Sequence, residues 1–168
     1  MKTRAELNSG ITTLGQTAGV VDSSLVDLYR NVHLDAGSIF SVGLVHGSKG
    51  SNIQIPVLLL KGHGSISALQ FDLLLPTGFT YQSVSTGSAS TASGKSASAN
   101  LLPSGLRVLI FGLNQNVIGT GVLATVQVRL ESSLSLPNYS IPISGIVSSD
   151  PNGLVVTTSG VTGTVIIP

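Results

Sequence analysis

The sequence predicts a mainly β chain: a sandwich of eight or nine short strands over residues 37–168, preceded by a short two-helix segment over residues 1–36. Three observations carry this. Seven of the fifteen formal charges fall in the first 36 residues, and the remaining 132 residues are built almost wholly from Val, Leu, Ile, Ser, Thr and Gly. Along that charge-poor body, apolar and polar residues alternate with period two, the mark of half-buried strands. No helical period interrupts the alternation, and Gly, Pro, Asn and Ser punctuate it at short intervals, a pattern that two packed sheets satisfy.

The head comes first. Thr3-Arg4-Ala5-Glu6 fits a capping box, in which the threonine hydroxyl takes a helix amide and Glu6 reaches back. A helix from about Arg4 to Thr12 follows, with Leu7 and Ile11 four apart on one face. Gly15 and Gly19 break the pattern, and Asp22 or Ser23 caps a second helix from Ser24 to about His33. Leu25, Leu28, Tyr29 and Val32 recur at three and four, so this helix is amphipathic. Helices this short are marginal alone in water. Their apolar stripe, formed by Leu7, Ile11, Leu25, Leu28, Tyr29 and Val32, is therefore expected to be an anchoring interface against another protein.

The body then runs as strands. Ile39–His46 is the first, and Ile53–Leu60 the second, with Pro56 marking an edge or a bulge because proline cannot donate to a ladder. Ser65–Leu75 puts Leu69, Phe71, Leu73 and Leu75 on one face and Gln70 and Asp72 on the other. Pro76-Thr77-Gly78 turns into Phe79–Val84. Residues 83–100 are nearly all Ser, Ala, Thr and Gly, and read as a flexible loop too small-sided to build core, with a surface lobe or a contact strand ordered only by a neighbour as the alternative. Leu106–Phe111 is short and apolar on both faces. Gly121–Glu131 alternates most cleanly, with Val122, Ala124, Val126, Val128 and Leu130 one way and Thr125, Gln127 and Arg129 the other. Tyr139–Val147, Leu154–Thr158 and Val161–Ile167 complete the set. Asp72, Arg107 and Arg129 are positioned to pair across strands.

Composition excludes several kinds of chemistry. There is no cysteine, so neither a disulfide framework nor a thiolate metal site exists. A net charge of +1 without a basic run argues against a nucleic-acid footprint. The longest apolar run, Val57–Leu60, is far short of a membrane span of about 20 residues, and Ala5-Glu6-Leu7-Asn8-Ser9 is not the apolar stretch of a leader. His33, His46 and His63 lie on three separate segments without ligand spacing. No Gly-x-Ser-x-Gly elbow appears, and Gly112–Gly121 lacks a P-loop lysine. Asp150-Pro151-Asn152-Gly153 reads as a β-turn. The body's acids, Asp72, Glu131 and Asp150, do not form a facing pair. With no Trp, Tyr81 and Tyr139 are the candidate surface aromatics for a glycan. We expect no enzyme, no cofactor and no metal.

Two resemblances sharpen this. Thr3-Arg4-Ala5-Glu6-Leu7, a Gly-containing spacer and Val21-Asp22-Ser23-Ser24-Leu25-Val26-Asp27-Leu28-Tyr29 resemble an N-terminal segment of phage virion proteins. On fibre, spike and decoration proteins that segment tethers the chain to the particle. The body resembles the cohesin module through Ile53–Leu60, Ile66–Leu73, Pro76–Phe79, Leu106–Phe111, Gly121–Val126 and Gly160–Val165. That resemblance implies a nine-stranded jelly-roll sandwich, a family whose members bind dockerins through one sheet face.

The reading expected from the sequence is a non-enzymatic phage structural protein found in the virion and assembled in the host cytoplasm. Its partners would be capsid, portal or tail proteins, with trimeric or, second, dimeric self-association and a host-surface glycan as a further partner. The alternative is a bacterial extracellular cohesin-like module that binds a dockerin-like protein or a glycan.

Overall fold

The computed structural model describes residues 37–61, 64–135 and 137–168. The segment in which two helices are expected, with Leu7, Ile11, Leu25, Leu28, Tyr29, Val32 and His33, lies outside the described residues, as does His63.

The described residues form twelve strands and one short helix, in the order β1 (Ser38–Val42), β2 (Leu44–His46), β3 (Asn52–Lys61), β4 (Ala68–Leu74), β5 (Phe79–Thr86), α1 (Ser88–Ala92), β6 (Ser96–Leu102), β7 (Gly105–Phe111), β8 (Gly121–Leu130), β9 (Asn138–Ile141), β10 (Ile143–Ser149), β11 (Thr158–Val161) and β12 (Gly163–Ile166). A five-stranded sheet runs β11-β1-β3-β8-β5, a four-stranded sheet β10-β4-β7-β6, and a three-stranded sheet β2-β12-β9. Phe40, Ile55, Val57, Val126 and Val128 from the first share one core with Phe71, Leu73, Val108 and Ile110 from the second. The sheets therefore pack face to face, and Tyr139, Ile141 and Val165 of the third, with Ile167 just beyond β12, close the same core.

The mainly β sandwich is as expected; the count of nine strands is not. Three expected strands are broken into shorter ones. Ile39–His46 splits at Gly43, where a Cβ would lie 2.6 Å from Pro56 Cγ, so the chain leaves β3 there and joins β12. Tyr139–Val147 splits at Pro142, which separates β9 from β10. Val161–Ile167 is divided at Thr162, with Val161 closing β11 and Gly163–Ile166 forming β12 in a different sheet. Of Leu154–Thr158 only Thr158 is in a strand, opening β11, and Val155 makes an isolated bridge to Ser149. Pro56 sits inside a sheet rather than at its edge, but β1 ends beside it and the β3–β8 register shifts just past it, between Val57 and Leu58.

The largest correction concerns residues 83–100. They are not a loop. β5 continues to Thr86, α1 follows, and β6 pairs with β7 over seven residues. Ala97 and Ala99 pack on the core, and the Ala97 amide donates to Thr86 Oγ1 at 2.9 Å, joining the edges of the two sheets. The small side chains reflect close approach, not disorder.

Candidate functional site

Alternation fixes what the four-stranded sheet shows to its outside. In β4 the odd residues 69, 71 and 73 are buried, so Ala68, Gln70, Asp72 and Leu74 face outward. In β7, Leu106, Val108 and Ile110 are buried and Arg107, Leu109 and Phe111 face outward. The ladders then set these side chains in rows. Val147, Gln70, Leu109 and Ser98 make one row; Ser144, Asp72, Arg107 and Asn100 make the next. Ser96 pairs with Phe111 at the upper end, and Leu74 and Leu102 flank Gly105 at the lower end.

The face is therefore divided. Its upper half is apolar: Phe111 and Val147 are 49% and 55% exposed, and with Ala68, Gln70 and Leu109 they line a shallow cavity of about 230 Å³. Its lower half carries an ordered polar pair, with Leu74 45% exposed at the far end. Arg107 Nε and Nη2 donate to Asp72 Oδ1 and Oδ2, both at 2.8 Å, in a two-point fork between directly opposed residues. The Arg107 hydrogen bond holds the Asp72 carboxyl below the usual carboxylate range against the opposing effect of burial, and the same bond raises the Arg107 guanidinium.

β10 is shaped around this pair. Its register with β4 shifts between Ser144 and Val147, and Gly145 in that bulge has φ +56°. A Cβ on Gly145 would lie 2.9 Å from Asp72 Oδ2. Only glycine allows the bulge to pass so close to the carboxylate.

A flat, mostly preformed sheet face with an exposed aromatic, aliphatic neighbours and a pre-oriented arginine has the makeup of a protein-docking surface. Interfaces place apolar residues centrally with polar groups at the rim, and aromatic and arginine side chains carry most of the energy.

The residues weighed from sequence fall elsewhere or take other roles. Tyr139 is not a surface aromatic. It is buried, its ring lies 5.2 Å from that of Phe79, and its hydroxyl accepts from the Ser135 amide at 3.1 Å. Tyr81 is half-buried against the core. His46 is exposed on β2. Asp150 does build a turn: its Oδ1 accepts from the Asn152 and Leu154 amides at 2.8 Å, and Gly153 has φ +82°. Arg107 pairs with Asp72 as expected, whereas Arg129 sits opposite Thr80 and Asn52 on the other sheet. Among the described residues no three His, Asp or Glu side chains gather to hold a metal ion, and no helix is long and apolar enough to cross a membrane. Sequence reading missed the face itself, although the run Leu106–Phe111, apolar on both sides, was its signal.

Comparison with known proteins bears on the same region. The family model described as the cohesin domain matches residues 39–167. No curated protein matches the chain. Among solved structures, a non-cellulosomal cohesin from the hyperthermophilic archaeon Archaeoglobus fulgidus is similar at 22% identity and TM-score 0.68, covering 79% of this chain and 92% of that one. The sixth cohesin of Acetivibrio cellulolyticus scaffoldin B, solved with a double mutant of the Cel5 dockerin, is similar at 24% identity and TM-score 0.67, covering 79% and 100%. The Coh-OlpA–Doc918 type I cohesin–dockerin complex of Clostridium thermocellum gives 19% identity and TM-score 0.69, covering 79% and 99%.

Proposed function

The chain belongs to the cohesin family, and from that premise we propose that its sandwich is a non-catalytic docking module that receives a dockerin-type protein on the outer face of β10-β4-β7-β6. One observation carries the choice of face. Among the described residues, that surface alone joins an exposed aromatic, Phe111, to aliphatic neighbours and to an arginine already fixed by a two-point bond. The outer face of the five-stranded sheet has exposed Leu60 and Val161, but its outward cation, Arg129, has no ion-pair partner among the described residues. A pre-oriented arginine loses less conformational freedom on binding than a mobile one. The solved relatives that hold dockerins support the class of partner.

The test is a titration of the full chain with the Cel5 dockerin and Doc918. Binding that weakens about tenfold or more in Phe111→Ser and in Arg107→Ala supports the reading. Failure to bind either dockerin overturns it.

A second proposal concerns the head. The Thr3–Leu7 and Val21–Tyr29 pattern favours a tether to a larger assembly such as a phage particle, with Leu7, Ile11, Leu25, Leu28, Tyr29 and Val32 as the anchoring stripe and the virion as location. Deleting residues 1–36 should release the protein from particles. Unchanged incorporation of the truncated chain would refute the tether.

A further inference from the structure

A four-stranded face is small for its task. Strands about 4.8 Å apart and seven residues long, at about 3.3 Å per residue, give roughly 400–450 Å² in projection, whereas a stable interface takes about 800 Å² per partner. Docking therefore gains area wherever it continues past the sheet. At the upper end, where Phe111 leaves β7, residues 112–120 carry the fully exposed Leu113 and the half-exposed Val117. Such side chains contribute to binding only if the backbone beneath them is held.

It is held by a buried lysine. Lys95 directly precedes Ser96, the β6 residue paired with Phe111, and is 4% exposed. Its Nζ donates to the Asn114 carbonyl at 2.6 Å and to Ser67 Oγ at 3.1 Å. Among the described residues no carboxylate pairs with it. Burying an ammonium with no counter-charge is costly, and a neutral residue of similar length would fill the core more cheaply. The two bonds are what the charge provides. The remaining bonds converge on the same loop: Asn114 Nδ2 donates to the Gly94 carbonyl at 3.0 Å, Asn116 Nδ2 to the Ser93 carbonyl at 3.2 Å, and the Ile118 amide to the Ile66 carbonyl at 2.7 Å. Gly112 allows the crossing, since a Cβ there would lie 2.8 Å from the Gly94 carbonyl oxygen and 3.0 Å from Lys95 Cδ.

We infer that Lys95 is a positioning residue for partner recognition: from inside the sandwich it clamps residues 112–118 so that Leu113 extends the docking face beyond Phe111. This rests on the docking reading given above. Lys95 touches no partner and acts through Leu113.

The experiment is a double-mutant cycle on the full chain, with Lys95→Met, Leu113→Ser and both together, titrated with the Cel5 dockerin and Doc918. Hydrogen exchange is followed at residues 112–118. Lys95→Met should leave exchange in β8 unchanged while that of residues 112–118 quickens about tenfold or more. Each single change should weaken binding about tenfold, and the pair no more than the stronger single. Should Lys95→Met fail to fold, Asn116→Ala, which removes only the side-chain tie to Ser93, takes its place in the cycle. Wild-type affinity in a folded Lys95→Met chain, or losses that multiply in the double variant, would overturn the clamp alone. If the wild type binds neither dockerin, the docking reading falls and the clamp falls with it.

Discussion

Gly145 shows how one residue sets a surface. Its φ of +56° lies where a Cβ costs about 1–2 kcal/mol, and that Cβ would also crowd the Asp72 carboxylate. Gly145→Ala should therefore lower the midpoint of chemical denaturation and weaken partner binding together, because the strain is delivered to the Asp72–Arg107 fork. Asp72 also makes a signed pH prediction. Its folded pKa is depressed, chiefly by the Arg107 hydrogen bond. The stability it adds is present above the unfolded carboxylate value near 3.9 and is lost as pH falls through the lower folded value. Denaturation midpoints followed from pH 5 downward should fall less steeply for Asp72→Asn than for the wild type. Lys95 has the opposite arrangement: burial lowers its pKa from the usual 10.5. Below the folded value both states carry the proton and the cost of burial is constant. As pH rises between the folded and unfolded values, only the unfolded state still holds the proton, so stability rises. Relative to Lys95→Met, the wild type should gain stability on approaching pH 10.5, as read from denaturation midpoints.

At the scale of elements, the strands with strict alternation were legible. Residues 124–130 and 68–74 face as their sequence says, because one buried face fixes register and a one-residue slip would expose the core, but at the start of β8 the register shifts and Leu123 rather than Val122 is buried. What escaped was the segment joining the sheets. Ser-, Ala- and Gly-rich sequence reads as linker, but here it marks where backbones meet. The Gly87 amide donates to the Leu123 carbonyl at 2.9 Å, and a Cβ on Gly87 would lie 2.7 Å from that residue's carbonyl carbon. Ser90 of α1 is wholly buried, and its hydroxyl has no hydrogen-bond partner among the described residues. Ser90→Ala should therefore raise stability by about 1 kcal/mol in a denaturant titration, by removing a buried hydroxyl that forms no bond. A comparable loss would mean that the hydroxyl has a structural role. The strand breaks at Gly43 and Pro142 were not legible because both residues also suit turns and bulges; only the pairing partners decide.

For the whole molecule, the low charge of the body suits a surface covered by other proteins, because charged residues are depleted at interface cores. Charge is scarce in the body, and the outer face of the four-stranded sheet sets exposed Phe111 and Val147 beside a fixed ion pair and the 112–118 loop, with exposed Leu74 at the opposite end. Sequence could name the strands that build this face without naming the face, because a row across four strands joins residues such as Val147, Gln70, Leu109 and Ser98, up to 77 positions apart. The head remains a separate matter: its anchoring stripe was read from sequence and lies outside the described residues.

The most direct measurement compares the two outer faces. Full-chain variants Phe111→Ser and Val147→Ser on the four-stranded sheet, and Leu60→Ser and Val161→Ser on the five-stranded sheet, are titrated calorimetrically with the Cel5 dockerin and Doc918. Each substitution replaces a half-exposed apolar side chain, so folding should be little affected. The docking account predicts that the first pair weakens binding about tenfold or more while the second leaves it unchanged. Binding lost only in the second pair, or no binding by the wild-type chain, would contradict it.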